Sequence, residues 1–147
     1  MNNENDGISN SAVYRIPVEG GSGEVAEKAS SYRDLDVWRR GLDLAKTIYL
    51  ATCCFPGGEQ FGLVSQMRRA AVSVPSNIAE GQARKGPGDF LRFLYIAKGS
   101  LAELDTQALL SMELGFLTRE QHAQIATEID VLQRMLYALI SSLGGSK

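Results

Sequence analysis

Apolar residues recur at three- and four-residue steps along four stretches of this chain, separated by short breaks carrying glycine or proline. In the first stretch the pattern is Leu35, Trp38, Leu42, Ala45, Tyr49 and Cys53, which predicts a helix with Asp34 as its N-cap. It should stop before Phe55–Gly58, because Pro56 holds Phe55 out of helical geometry. A second helix is predicted from about Glu59 to Arg84, on Leu63, Met67, Ala71, Val74 and Ile78. The loop Lys85–Gly88 ends it. The third opens at Asp89 and runs to about Leu114, with Phe90, Leu94, Ala97, Leu101, Leu104 and Ala108 on one face and Gly115 as its stop. In the fourth, Thr118 and Gln121 form a capping-box pattern ahead of Ile125, Ile129, Leu132, Leu136, Leu139 and Leu143. No strand-like alternation competes. The expected fold is all-α: an antiparallel up-down-up-down four-helix bundle over residues 32–147.

The second helix carries the most informative stretch, Gln66–Arg84, because Pro75 lies in its middle. An interior proline loses one helix hydrogen bond and collides with the carbonyl four residues back, here Ala71, at a cost of roughly 3 kcal/mol. Residues from Ala70 to Ala79 are mostly small, which lets other helices approach closely. The preferred reading is one helix kinked at Pro75, with Ser76 and Asn77 occupying backbone groups that the bend frees. The competing reading splits it there, with Asn77 as a new N-cap and Glu80 three residues on.

One apolar stripe suffices for a bundle helix, yet the third helix has two. At about 100° per residue, Leu91, Tyr95, Ala102 and Leu109 lie roughly 120–160° from Ala97, with Gly99 nearby. The outer face of the second helix is also short of long solvating side chains, since it carries Ser65, Arg69, Ser73, Ser76 and Glu80 beside Val72. Helices that are apolar or small all round are normally buried all round. A closed homo-oligomer is the simplest remedy. Its expected interface is Arg69, Val72, Ser76, Glu80, Leu91, Tyr95, Gly99, Ala102 and Leu109. Burying four such side chains contributes on the order of 5–10 kcal/mol before association costs.

Charge changes the picture only when it is divided along the chain. The formal net charge is −2, but residues 1–31 hold five acidic and two basic residues, and the remainder holds thirteen basic and twelve acidic. The acidic character therefore belongs to a leader rich in Asn, Ser, Gly and Glu, which is expected to be disordered. Within it, Val13–Val18 is a short apolar patch interrupted by Pro17. The two cysteines, Cys53 and Cys54, are adjacent, which suits free thiols in a reducing compartment. No signal peptide and no membrane-length apolar run is present, so a cytoplasmic protein with no membrane partner is expected.

Catalytic chemistry finds little to stand on. The single histidine, His122, faces away from its helix's stripe, and no nucleophile is placed beside it. Neither a metal site nor a cofactor is expected: Glu-x-x-His pairs are absent, and Gly57–Gly62 matches no phosphate or dinucleotide loop. Glu80 and Glu103 are the acids expected nearest the packed centre. What remains is a set of basic residues: Arg39–Arg40, Arg68–Arg69, Arg84–Lys85, Arg92 and Lys98. Guanidinium forks suit phosphate and carboxylate alike. Two readings stay open, a phosphate-contacting surface or side chains committed to solvent and inter-subunit ion pairs.

Three segments carry a family resemblance: Tyr32–Ala45, Phe55–Arg84 with its RRAAVSVPSNIAEG core, and Phe93–Gln107. They resemble the bacterial four-helix-bundle family named for proteins encoded in 23S ribosomal RNA intervening sequences. The resemblance implies a bundle that assembles as a five-subunit barrel. It also implies distant kinship with the accessory variability determinant of diversity-generating retroelements, which binds nucleic acid and a reverse transcriptase. The family motif falls on Arg68, Arg69, Pro75, Asn77, Glu80 and Gly81. The expectation that follows is a non-enzymatic, oligomeric scaffold that engages RNA or a ribonucleoprotein through its basic pairs. Alternatives are a protein-only adaptor whose arginines serve the subunit interface, and an accessory factor for a retroelement reverse transcriptase acting with RNA or DNA.

Overall fold

The computed structural model describes residues 31–84 and 86–144. Most of the leader expected over residues 1–31, and Lys85 of the basic set, lie outside the described residues. Four helices make the fold: α1 (Asp36–Thr52), α2 (Leu63–Ala83), α3 (Pro87–Glu113) and α4 (Arg119–Gly144). Each packs on its neighbours in sequence, and α1 closes the ring against α4, while the diagonal pairs stand farther apart. Among the described residues there is no strand. Short connections and this ring order give the antiparallel four-helix bundle that the periodicity predicts.

The stripes of α3 and α4 are where the spacing places them. Phe90, Leu94, Ala97, Leu101, Leu104 and Ala108 are all buried, and so are Ile125, Ile129, Leu132, Leu136 and Leu139. The turn between these helices follows its sequence signals. Gly115 takes φ +79°, and Phe116 N donates to Ser111 O at 2.8 Å, closing α3. Thr118 and Gln121 then bond reciprocally at 2.9 and 3.1 Å to open α4.

The first helix departs from its expected register. Its buried face is Val37, Gly41, Leu44, Ala45, Ile48 and Thr52, whereas Leu42, Tyr49 and Cys53 are exposed. Asp34 is not its N-cap. It ends a 3-10 turn, Tyr32–Asp34, that Ser31 caps, and Leu35 leads into α1 with no side-chain cap. The second helix starts at Leu63 rather than Glu59, after a further 3-10 turn at Gly57–Glu59. The third starts earlier than expected, with Pro87 in its first turn, where the missing N–H removes no helix bond.

A single helix runs through Pro75, so the continuous reading holds over the split one. Asn77 therefore caps nothing. Its Nδ2 donates to Ser73 O at 2.7 Å and to Ser73 Oγ at 2.8 Å, and Ser73 Oγ meets Ser100 Oγ of α3 at 2.8 Å. The carbonyl that Asn77 reaches is not the one Pro75 leaves unpaired. Pro75 itself is buried against α1, where a Cβ on Gly41 would stand 3.5 Å from its ring. Gly81 sets the other close approach. A Cβ there would come within 2.6 Å of the Phe93 Cβ of α3, a separation that real atoms do not tolerate.

Candidate interaction surfaces of the helical bundle

The outward side of α2 borders an open groove of about 660 Å³. Its floor is the slender face of the helix, including Ser65, Val72, Ser73 and Ser76. Tyr49 at the end of α1 and Phe61 in the α1–α2 connection stand at its sides. Phe61 is 95% exposed, an aromatic ring with almost no cover. Arg68 and Arg69 are the only ionisable side chains besides Tyr49 in the lining.

Arg68 is not a free cation. Its guanidinium lies 4.5 Å from the Tyr49 ring centroid; Nε donates to Thr52 Oγ1 at 2.9 Å and Nη2 to Tyr49 O at 3.4 Å. A positive group on the last carbonyls of α1 satisfies acceptors that the helix leaves open and opposes the negative end of its dipole. Sequence spacing holds no sign of this bond, because the donor comes from the next helix. Arg69 reaches across to Glu103 of α3 at 3.9 Å. Glu103 is thus exposed rather than central, and it also accepts from Gln107 Nε2 at 3.2 Å.

The other basic residues are scattered and mostly matched to acids. Arg39 pairs with Asp36 at 3.9 Å, Arg40 with Glu128 of α4 at 3.8 Å, and Arg84 with Glu80 at 2.9 Å. Glu80, exposed, is therefore occupied within its own helix. Arg84 and Arg92 also lie 5.4 and 5.3 Å from the Phe93 ring, so the turn from α2 to α3 gathers two guanidinium groups around one aromatic. Lys98 is exposed on mid-α3. His122 is half-buried, and among the described residues no group of three or more His, Cys, Asp or Glu stands ready to hold a metal ion.

The outer stripe of α3 is uncovered in the single chain. Tyr95 is 57% and Leu109 44% exposed, with Gly99 and Ala102 open between them. Leu91 differs, being half-buried against the core. Periodicity alone missed two members, Ile96 and Leu110, which are also exposed. Their signal was the heptad spacing of Tyr95–Ile96, Ala102 and Leu109–Leu110, a repeat that keeps side chains on one helix face.

The bundle from Arg33 in the first 3-10 turn to Ala138 of α4 carries a match to the family model described as 23S rRNA-intervening sequence protein, over residues 33–138. The chain belongs to this family. The 23S rRNA-intervening sequence match takes in the groove, the α2–α3 turn and the outer stripe of α3, and leaves the leader outside. Among solved structures, the family member described here is similar to a protein of unknown function from the S23 ribosomal protein family of Bacteroides thetaiotaomicron. The two share 24% identity over 71% of this chain and 97% of that one, with a TM-score of 0.65. At that identity the likeness speaks for the fold. No curated protein matches the chain. Among the described residues, no helix is long and apolar enough to cross a membrane.

Proposed function

We propose that this intervening-sequence protein is a non-enzymatic, oligomeric scaffold that presents its basic side chains to RNA or a ribonucleoprotein partner. The uncovered heptad stripe of α3, Tyr95–Ile96 and Leu109–Leu110 around Ala102, carries the assembly half of this reading. Such a stripe on an otherwise well-packed bundle matches what a second copy's helix covers. Val72 and Ser76 of α2 extend the slender surface beside it, and the family resemblance supplies five as the subunit number. Repetition around a ring would multiply each subunit's few cations, which answers the near-neutral charge of the bundle.

One observation favours a second reading, in which the arginines serve protein contacts. Arg39, Arg40, Arg69 and Arg84 each lie within 4 Å of a carboxylate, and Arg68 is committed to α1. Titrating structured RNA against the full chain at several salt concentrations, with light scattering alongside, separates the two. The scaffold predicts a mass several times 16.0 kDa. It also predicts an RNA affinity that falls about tenfold between ~50 and ~200 mM salt if two phosphates are contacted. Reversing charge at Arg39 and Arg40 should abolish RNA binding and leave the mass unchanged. Absence of binding even at low salt leaves the protein-only adaptor.

A further inference from the structure

We propose that the groove along α2 is the seat of the chain's own leader, with the apolar segment Val13–Val18 lying across Phe61 and Val72 and the acidic residues that follow it near Arg69. Three observations point to this occupant.

Charge is the first. The groove lining contains no acid; of its two arginines Arg68 is committed to the end of α1, but the Arg69 side chain is 76% exposed, while residues 1–31 hold five acids against two bases. The rest of the chain holds thirteen bases against twelve acids, so the leader is the one acidic stretch of the sequence taken as a whole. Glu19 directly follows the apolar segment, and Glu24 and Glu27 come soon after. Opposite charges beside an apolar contact orient the docking segment and suppress other partners.

Reach is the second. The 3-10 turn at Tyr32–Asp34 packs against α2 as well as α1, so the chain enters the described fold already beside the helix that floors the groove. About a dozen residues separate Val18 from Ser31. Extended, they cover up to ~40 Å. The stretch of α2 and its approach from Phe61 to Asn77 is on the order of 25 Å long. The tether is therefore long enough without being stretched.

Shape and composition are the third. Tyr14, Ile16 and Val18 alternate with Arg15 and Pro17, so an extended segment presents its apolar side chains on one side. A proline at position 17 disfavours helical geometry for the residue before it, which suits a strand-like fit for a segment of this length. Six residues extended span ~20 Å, close to the groove's own length. An aromatic that is 95% exposed and a guanidinium–tyrosine stack are the kinds of side chain that anchor peptide contacts.

Arg69, Val72 and Ser76 belong to this groove as well as to the expected assembly face; with the leader seated on α2, the face left for another copy is the outer stripe of α3, Tyr95–Ile96 and Leu109–Leu110. Hydrogen exchange on the full chain, read by mass spectrometry with light scattering at each concentration, tests it. Amides of residues 13–18 should exchange at least about tenfold more slowly than those of residues 1–10. The slowing should disappear in Phe61→Ser, whose side chain is already outside the core, and in Ile16→Asp. Exchange at the rate of residues 1–10 in the unaltered chain overturns the proposal, as does slowing that survives both substitutions. Slowing that fades on dilution, as the mass falls, assigns the covering segment to a neighbouring copy and also overturns it. A mass of one chain with a protected leader sinks the assembly reading and leaves the strap. A mass of several chains with an unprotected leader does the reverse.

Discussion

Gly81 and Gly99 are both helical glycines, and each forgoes about 1 kcal/mol that an alanine would add. Around Gly81 the reason is visible inside the protomer. Phe90 and Phe93 of α3 lie so close that no Cβ fits between the helices. Around Gly99 nothing approaches within 4 Å of where a Cβ would stand. The same contrast separates the two stripes of α3. On the inner stripe every member is buried, while the outer one is open from Tyr95 to Leu110. Within one subunit, a close-packing residue and a greasy stripe thus appear twice, once with a partner and once without. The proposed scaffold supplies the missing partner from another copy.

The comparison can be broken or sharpened by substitution. The largest effect belongs to the inner stripe: Leu104→Ala should lower unfolding stability by about 2–5 kcal/mol, through lost burial and the cavity left behind, as read by denaturant titration. Next come the two glycines, for which opposite signs are expected. Gly81→Ala should destabilise by about 1–2 kcal/mol net, since overpacking against Phe93 exceeds the helical gain, and thermal unfolding will show it. Gly99→Ala should stabilise the protomer by up to about 1 kcal/mol. A stability loss at Gly99 comparable to that at Gly81 would remove the contrast. Smallest in stability, and most telling for assembly, is Tyr95→Lys combined with Leu109→Lys. Protomer stability should change by no more than about 0.5 kcal/mol per site. The mass by light scattering should fall toward 16.0 kDa.

Much of the bundle was legible because α3 and α4 write their buried faces in Leu, Ile and Phe at unbroken helical steps. The face of α1 was not, because Gly41 and Thr52 occupy buried positions that carry no hydrophobic signal. Gly41 is buried because it faces Pro75, and Thr52 because it accepts from Arg68. Both reasons come from α2 and are invisible in the local pattern. Asn77 misled in a similar way. Its spacing to Glu80 reads as a capping box, but the helix had already begun at Leu63, so its amide turned back to Ser73. Of the interaction surfaces, the outer stripe was partly readable and the groove was not, since its sides come from Tyr49 and Phe61, outside α2. The basic pairs could be listed from sequence, but their ion pairing across helices, as between Arg40 and Glu128, depends on the fold.

The seam where Pro75 meets Gly41 has an entropic consequence. A pyrrolidine ring and a bare α-carbon have no side-chain rotamers to surrender when they come together. At this point α2 therefore meets α1 through backbone and ring alone, and this contact asks less ordering of the chain than any leucine pair in the core. Where these two residues meet, α1 and α2 are joined with no rotatable side chain between them that could repack.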